Sequence, residues 1–211
     1  KSGERLGEGG MGEIRVYKDR RLGRDVAMKM IRAEHAARPE IRARFLREAR
    51  VQGQLEHPSI VPVYDLGRTP TGESFFTMKR IGGHTLERVI LGLRENDPEI
   101  VQAYSRRKLL GAMSQVCLTV AYAHSRGVVH RDLKPANVML GDFGEVYVLD
   151  WGVARAVTEP DEPGDARVTK EADLQLDSGE TQAGTVLGTP AYMAPEQLIG
   201  EKAGPTADIY A

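Results

Sequence analysis

The stretch His130-Arg131-Asp132-Leu133-Lys134-Pro135-Ala136-Asn137 decides how this sequence is interpreted. It places a carboxylate base, a cation and an amide ligand within a single loop, a combination that chance explains poorly. Two short strands are predicted directly after it, at 138–140 and 146–149, and a tight turn at 141–144 joins them. A base, a cation and an amide side by side indicate an active site rather than a structural loop.

Lys29 lies in a second informative segment, the predicted strand Val26-Ala27-Met28-Lys29-Met30. It follows a strand that contains Ile14 and Val16 and a polar turn at 20–25. Because side chains alternate across a strand, Ala27 and Lys29 share one face. The lysine therefore lies beside a small residue on the face expected to meet a ligand.

A helix is predicted after Pro39, and its inward stripe carries a carboxylate. The stripe consists of Ile41, Phe45, Glu48, Gln52 and Leu55. A carboxylate on an apolar face is costly unless it is paired, and Lys29 is the nearest cation by topology. The alternative is a helix rotated enough to expose Glu48 to water, and the spacing alone leaves both open.

The glycine-rich string Gly7-Glu8-Gly9-Gly10-Met11-Gly12 fits the pattern GxGxxG. Glycines let backbone amides approach phosphate oxygens closely, although the pattern alone is a weak signal. Dinucleotide-binding domains carry it between a strand and a helix, whereas residues 13–17 continue here as a strand. This context favours a hairpin that covers nucleotide phosphates.

Segment 130–137 resembles the catalytic loop of protein kinases. Lys134, two residues past Asp132, is typical of the serine/threonine branch rather than the tyrosine branch. Lys29 matches the strand lysine of that family and Glu48 its helix glutamate. The chain thus resembles a eukaryotic-like bacterial serine/threonine protein kinase.

The resemblance extends over essentially the whole chain. Ala194-Pro195-Glu196 matches the motif that closes the activation segment, and Asp208 matches the aspartate that steadies the catalytic-loop backbone. The implied fold is α+β and bilobal, with a β-rich N-lobe at 1–78 that holds one regulatory helix. A hinge at 79–83 follows the strand 75–78, and residues 84–211 form a partial, mostly helical C-lobe.

The resemblance implies that ATP binds between the lobes, with backbone hydrogen bonds from Lys79 and Ile81 to adenine. The residues expected to contact the nucleotide are Leu6, Gly7, Glu8, Gly9, Gly10, Met11, Gly12, Glu13, Ile14, Ala27, Lys29, Lys79 and Ile81.

Two segments compete for the metal-binding motif of the family. Asp142-Phe143-Gly144 spells it, but Asp142 lies only five positions beyond Asn137 (142 − 137), which leaves no room for a hairpin between two metal ligands. Asp150-Trp151-Gly152 lies 13 positions beyond Asn137 (150 − 137), after the strand at 146–149, as in the family. We therefore assign the metal to Asp150 and interpret Asp142 as a turn residue, with Trp151 replacing the usual phenylalanine.

The resemblance also implies a catalytic set of Lys29, Glu48, Asp132, Lys134 and Asn137. Asp132 is expected to accept the proton of the substrate hydroxyl, and Lys134 to offset charge at the γ-phosphate. Asn137 and Asp150 offer the hard oxygen ligands that Mg²⁺ prefers. Lys29, held by Glu48, is expected to grip the α and β phosphates.

Regulation is expected in the segment between Asp150 and Glu196. Residues 158–185 are acidic and rich in Gly, Pro and Thr without periodicity, which predicts a mobile loop. Thr181 and Thr185 are candidates for autophosphorylation, and Arg131 resembles the arginine that pairs with such a phosphate. Thr189 matches a position that contacts the catalytic loop.

Composition limits the partners and the setting. The 29 basic and 30 acidic residues nearly cancel, which argues against a dedicated nucleic-acid binder. We expect protein substrates with serine or threonine, and self-association for autophosphorylation. The single cysteine, Cys117, rules out an intramolecular disulfide, which fits a reducing, cytoplasmic setting. No run of 18 or more apolar residues occurs, so this segment is not expected to span a membrane, which is compatible with an anchor outside it. The missing start methionine and the end at 208–211, inside a possible helix turn, lead us to expect that both ends are cut. The resemblance implies further C-terminal helices, and without them we expect the 211 residues to be marginally stable and poorly active.

The helix that precedes the loop is predicted to bury a single apolar stripe. The stripe comprises Leu109, Leu110, Met113, Val116, Cys117, Val120 and His124. On this basis the only cysteine is expected to be a buried thiol, and His124 a histidine at the core edge.

The residues leave two alternative functions open. A pseudokinase would share the shape without turnover, but the set Lys29, Asp132, Asn137 and Asp150 is intact. A small-molecule phosphotransferase would share the chemistry, but it has no need of an activation segment ending at 194–196, where protein substrates dock.

Overall fold

A five-stranded antiparallel sheet forms the first part of the computed structural model, which describes residues 3–9, 12–32, 35, 38–156 and 189–211. Its strand order is β1-β2-β3-β5-β4. The strands are β1 Arg5–Gly9, β2 Gly12–Asp19, β3 Arg24–Ile31, β4 Val63–Arg68 and β5 Ser74–Lys79. The strands predicted around Ile14, Lys29 and Phe76 are all confirmed.

The hairpin predicted for the glycine-rich string is also confirmed, since β1 pairs with β2 and Gly9 lies opposite Gly12. A Cβ at Gly12 would lie 2.4 Å from the carbonyl oxygen of Met30 on β3, so this position has no room for a side chain. Gly10 and Met11, at the tip, lie outside the described residues.

Helix α1 (Pro39–Gln54) begins at a proline, whose fixed φ and missing N–H suit the first helical turn. Its buried side chains are Ile41, Phe45, Glu48, Ala49 and Gln52. The predicted inward stripe is therefore confirmed. Phe45 packs on Phe76 of β5 with the ring centroids 5.2 Å apart, and the amide of Gln52 donates to the carbonyl of Val61 at 2.7 Å.

The second part is mostly helical. Its helices are α2 Leu86–Arg94, α3 Pro98–Ala103, α4 Arg106–Ser125, α5 Pro195–Ile199 and α6 Pro205–Tyr210. Its strands are β6 His84–Thr85, β7 Val128–Val129, β8 Val138–Leu140, β9 Val146–Val148 and β10 Arg155–Ala156, paired in the orders β6-β8-β9 and β10-β7. Short 3-10 turns occupy Pro135–Asn137 and Thr189–Tyr192.

Two main hydrophobic cores correspond to these two parts. One joins Ile31, Ile41, Phe45, Ala49 and Phe76 between sheet and α1. The other surrounds α4, β8 and β9 and includes Trp151 at its centre. Leu55 and Ile60, which follow α1, belong to this second core, so the chain after α1 is anchored to the helical part.

The stripe predicted for α4 is partly wrong. Val116 and Val120 are buried, but Leu110 and Met113 are 62% and 53% exposed, and the thiol-bearing Cys117 is exposed rather than buried. The buried positions are Ala112, Val116, Thr119, Val120 and Ala123. The helix carries two adjacent stripes, and the one with smaller side chains is turned towards β7 and β9, where it permits close packing.

Candidate active site

Lys29 and Glu48 form a buried ion pair between β3 and α1. The Nζ atom donates to both carboxylate oxygens, at 2.6 and 2.8 Å, and the two side chains are only 10% and 4% exposed. The alternative of a helix rotated to expose Glu48 to water is thereby excluded. The predicted pairing is present because α1 presents its carboxylate directly over the strand that carries the lysine.

Electrostatics keep this pair charged. Burial lowers the pKa of Lys29, but attraction to Glu48 and then to Asp150 outweighs it, so its pKa lies above the ordinary value. Burial raises the pKa of Glu48, and the attraction of Lys29 opposes that rise. Since both Glu48 oxygens accept from the same ammonium group, we take the pair as ionised near neutral pH.

The groups of the catalytic-type loop converge on Asp132. The Lys134 Nζ atom lies 3.1 Å from Asp132 Oδ2. Asn137, in the 3-10 turn that follows, donates from its amide nitrogen to the backbone carbonyl of Asp132 at 2.8 Å and to Oδ2 at 3.0 Å. Because the side-chain nitrogen of Asn137 donates to Asp132, the side-chain oxygen can bind another partner.

The loop backbone is fixed by residues from distant parts of the chain. Asp208 accepts the N–H of His130 at 2.8 Å and that of Arg131 at 2.7 Å, as its assignment from the sequence predicted. Gln197 of α5 donates to the carbonyl of Arg131 at 2.8 Å. Arg131 has φ of 70°, a left-handed conformation that a non-glycine residue keeps only where its surroundings enforce it.

His130 ties the loop to the strand before Asp150. Its Nδ1 accepts the N–H of Asp132 at 3.2 Å, so in the neutral ring the proton is on Nε2, which lies 3.0 Å from the carbonyl of Leu149. The N–H of Leu149 in turn donates to the carbonyl of Asn137 at 2.8 Å. These bonds hold the segments of Asp132, Asn137 and Asp150 together.

Asp150 and Asp142 occupy very different surroundings. Asp150 follows β9 with φ of 60°, and the adjoining Trp151 is fully buried, donates to the carbonyl of Val148 at 3.2 Å and packs against His130. Asp142 lies in the tight turn between β8 and β9, beside Phe143, which is 93% exposed. The interpretation of Asp142 as a turn residue is confirmed, and Trp151 keeps the packing role expected of the family's phenylalanine.

The two central carboxyl groups have pKa values shifted in opposite directions. Although part of the Asp150 residue is exposed, surrounding groups desolvate its carboxyl group and so raise its pKa; the charges of Lys29 and Arg44 outweigh this and hold the pKa below its usual range. Burial raises the pKa of Asp132, and the Asp150 carboxylate adds to the rise while Lys134 opposes it. Opposed shifts in neighbouring carboxyl groups are typical of sites that divide acid, base and metal roles between them.

Arg44 is a site residue that the sequence analysis missed. It lies one helical turn before Glu48 on α1, and its Nε donates to the carbonyl of Gly152 at 3.3 Å. It therefore connects the helix to the segment after Asp150. Spacing could have found it, since residues four apart share a helix face, but nothing in the sequence indicated its partner.

The expected nucleotide contacts are described in part. Ala27 is buried beside Lys29, whereas Leu6 is exposed and Glu13 is bonded to Arg15. The backbone N–H of Lys79 is already committed to the carbonyl of Pro62 at 3.1 Å. The backbone carbonyl of Lys79, which has two lone pairs, is therefore the group that can accept a hydrogen bond from adenine.

The regulatory predictions lie outside the described residues. This holds for the loop at 158–185 with Thr181 and Thr185, and for the side chain of Thr189, which begins the second 3-10 turn. In the described part of the chain, no three His, Cys, Asp or Glu side chains gather into a metal cluster. None of the described helices combines the length and apolar character needed to cross a membrane.

Comparison with known proteins agrees with this geometry. The protein kinase domain family matches residues 1–211. The chain is 41% identical over 209 residues to serine/threonine-protein kinase PknD of Chlamydia pneumoniae, covering 98% of this chain and 22% of that protein. It is 40% identical over 211 residues to the protein of the same name from Protochlamydia amoebophila, covering 97% and 21%. The chain thus spans about a fifth of the length of these relatives.

Proposed function

Since this chain belongs to the protein kinase family, we propose that it is a serine/threonine protein kinase domain that transfers the γ-phosphoryl group of ATP to protein hydroxyls. The family and the relatives confirm the bacterial kinase resemblance and the α+β bilobal fold. The observation that carries the proposal is the convergence of two groups of side chains. Lys29, paired with Glu48, interacts electrostatically with Asp150, and Asp150 in turn interacts with Asp132, which contacts Lys134 and Asn137.

Asp132 is the proposed proton acceptor. Its raised pKa makes it a better base than an ordinary aspartate. Lys134, at 3.1 Å from it, supplies positive charge where the transferred phosphoryl group develops negative charge. Asn137 holds the carboxylate of Asp132 in position through its amide nitrogen.

Protein kinases use ATP and a divalent metal ion, and the side chains here fit Mg²⁺. The Asp150 carboxylate, kept ionised by Lys29 and Arg44, and the amide oxygen of Asn137 are the hard oxygen donors this ion prefers. We propose these two residues as its protein ligands. When bound, the ion neutralises charge on the phosphates.

Lys29 is proposed to bind the α and β phosphates. Its ammonium group has two of its three donor positions engaged by Glu48, which fixes its direction. The glycine-rich hairpin at 7–12 is proposed to cover the phosphates, and the backbones of Lys79 and Ile81 to bind adenine. The remaining proposed nucleotide contacts are Leu6, Glu13, Ile14 and Ala27.

Regulation by autophosphorylation is a further part of the proposal. Thr181 or Thr185 would be modified, with a second copy of the chain as the phosphorylating partner, and Arg131 would pair with the phosphate. Hydrogen bonds between the Arg131 backbone and the side chains of Asp208 and Gln197 support this, because they fix the position of the backbone that carries the Arg131 side chain. Protein substrates of the whole protein, and a cytoplasmic setting where ATP is abundant, are likewise proposals.

Phosphate transfer from radiolabelled ATP to a generic protein substrate tests the proposal. We expect the purified protein to label the substrate, and Asp132→Asn to reduce the rate by roughly 10²- to 10⁴-fold. Asp142→Asn is the matched control, since it removes a nearby carboxylate that lies in a turn. Equal labelling by wild type and Asp132→Asn would falsify the enzyme assignment and favour a pseudokinase.

A further inference from the structure

A lysine and a tyrosine join the two parts of the molecule beside the proposed adenine site. The Nζ atom of Lys79 donates to the hydroxyl of Tyr147 at 2.6 Å, and it lies 5.1 Å from the centroid of the same ring. Tyr147 is only 4% exposed. A bond this short between a charged donor and a buried phenol is among the stronger hydrogen bonds of a protein.

The two partners belong to different sheets. Lys79 is the last residue of β5, where it lies opposite Val26 and donates its backbone N–H to Pro62. Tyr147 lies at the centre of β9, opposite Met139 and three residues before Asp150. The bond therefore links the end of the five-stranded sheet to the strand that leads into the proposed metal ligand.

This bond stabilises the charged form of the Lys79 side chain. The hydrogen bond to Tyr147 is the largest cause of its raised pKa, ahead of burial, which lowers it, and of weaker attractions. Glu145 contributes only at longer range. Without the hydroxyl, the ammonium group would lose its direct partner on β9.

We propose that Tyr147 is a positioning residue for nucleotide binding, which holds the Lys79 side chain against β9 and so fixes the Lys79 carbonyl for adenine. This inference rests on the proposed function of the cleft. Preorganising a recognition group lowers the ordering cost of binding, so its loss weakens affinity rather than the chemical step.

Tyr147→Phe tests this by removing the hydroxyl while keeping the ring and its packing. We expect KM for ATP and the Kd of a fluorescent ATP analogue to rise by roughly 3- to 10-fold, with kcat changed less than about twofold. Lys79→Met should reproduce the effect with Tyr147 in place, and Lys79→Arg should partly restore affinity because it still donates.

The double variant Lys79→Met with Tyr147→Phe should bind no more weakly than either single variant, because both remove the same bond. Lys108→Met is the matched control, since Lys108 on α4 also lies against a buried tyrosine, 4.6 Å from the ring centroid of Tyr104, and is outside the proposed nucleotide contacts. Its nucleotide affinity should be unchanged. Melting temperatures of all variants verify that each is folded.

Unchanged analogue affinity in Tyr147→Phe, fully additive losses in the double variant, or a fall in kcat at constant KM would overturn the inference. The analogue titration needs no turnover, so it also works in an Asp132→Asn background. If the wild type binds the analogue but transfers no phosphate, the proposed activity is refuted. The effect of Tyr147→Phe on analogue affinity then still decides this inference. A wild type that binds no nucleotide would overturn both.

Discussion

Asp208 accepts a hydrogen bond from the backbone N–H of Arg131 at 2.7 Å, across 77 residues of sequence. The same carboxylate accepts the N–H of His130 at 2.8 Å and lies 2.7 Å from Nε2 of His124. Arg131 holds φ of 70° directly before Asp132. A buried carboxylate on α6 thus maintains a strained backbone at the catalytic-type loop, and His124 is indeed at the core edge because it completes this cluster.

Asp208→Asn is expected to destabilise the protein by about 2 to 3 kcal/mol, because its NH₂ group would face backbone N–H donors in place of a charged acceptor. Phosphate transfer should fall with it, since the loop would relax from its strained conformation. Chemical denaturation and a transfer assay measure the two effects. Asp97→Asn, at the start of α3, is the control that changes a capping carboxylate away from the site. Wild-type stability in Asp208→Asn would show that the cluster does not hold the loop.

Lys29 and Glu48 should behave as one unit in stability but not in activity. Lys29→Met leaves a buried carboxylate unpaired, which is expected to cost about 3 to 5 kcal/mol. Adding Glu48→Met removes that unpaired charge and should restore most of the stability. The double variant should nevertheless stay inactive, because nothing grips the phosphates. Denaturation midpoints and transfer rates of wild type, Lys29→Met, Glu48→Met and the double variant check this. Additive losses of stability would mean that the two side chains do not depend on each other.

Much of this site could be predicted because its signals are local in sequence. The loop 130–137 carries three functional groups within one segment, and the α1 stripe placed Glu48 on the inward face by spacing alone. The choice between Asp142 and Asp150 also followed from spacing, since a hairpin needs residues to turn. The structure agrees, with Phe143 exposed and Trp151 buried.

The features that could not be predicted depend on how a helix is rotated about its own axis and on contacts between segments distant in sequence. Helix α4 offers two neighbouring apolar stripes, and only packing against β7 and β9 decides that Ala112 and Ala123 turn inward while Cys117 remains exposed. Likewise, the bonds from Lys79 to Tyr147 and from Arg44 to Gly152 span 68 and 108 residues. Hydrophobic periodicity carries no information about such polar partners.

Asp150→Asn should abolish the dependence on Mg²⁺ that the proposed metal site predicts. The variant loses the anionic ligand, so we expect transfer to fall by at least roughly 10²-fold and the stabilisation by ATP with Mg²⁺ to disappear. Thermal melts with ATP, with and without Mg²⁺, measure this without turnover. Asp142→Asn should behave as wild type in both experiments. If the two variants exchanged these behaviours, the metal assignment would have to move to Asp142.

The acid limb of the activity profile should report the raised pKa of Asp132. Asp132 must be ionised to accept a proton, so kcat/KM is lost as pH falls through its folded-state pKa. Burial and the Asp150 carboxylate raise that pKa, so the loss should begin at higher pH than for an ordinary aspartate. Asp150 has its pKa lowered and should titrate below this limb.

Lys134 opposes the rise in the pKa of Asp132, so Lys134→Met should lower the maximal rate and also move the acid limb to still higher pH. Profiles of kcat/KM from about pH 4 to pH 8, with a peptide substrate that does not titrate there, measure the shift. A limb that stays in place or moves to lower pH in Lys134→Met would show that another group controls it.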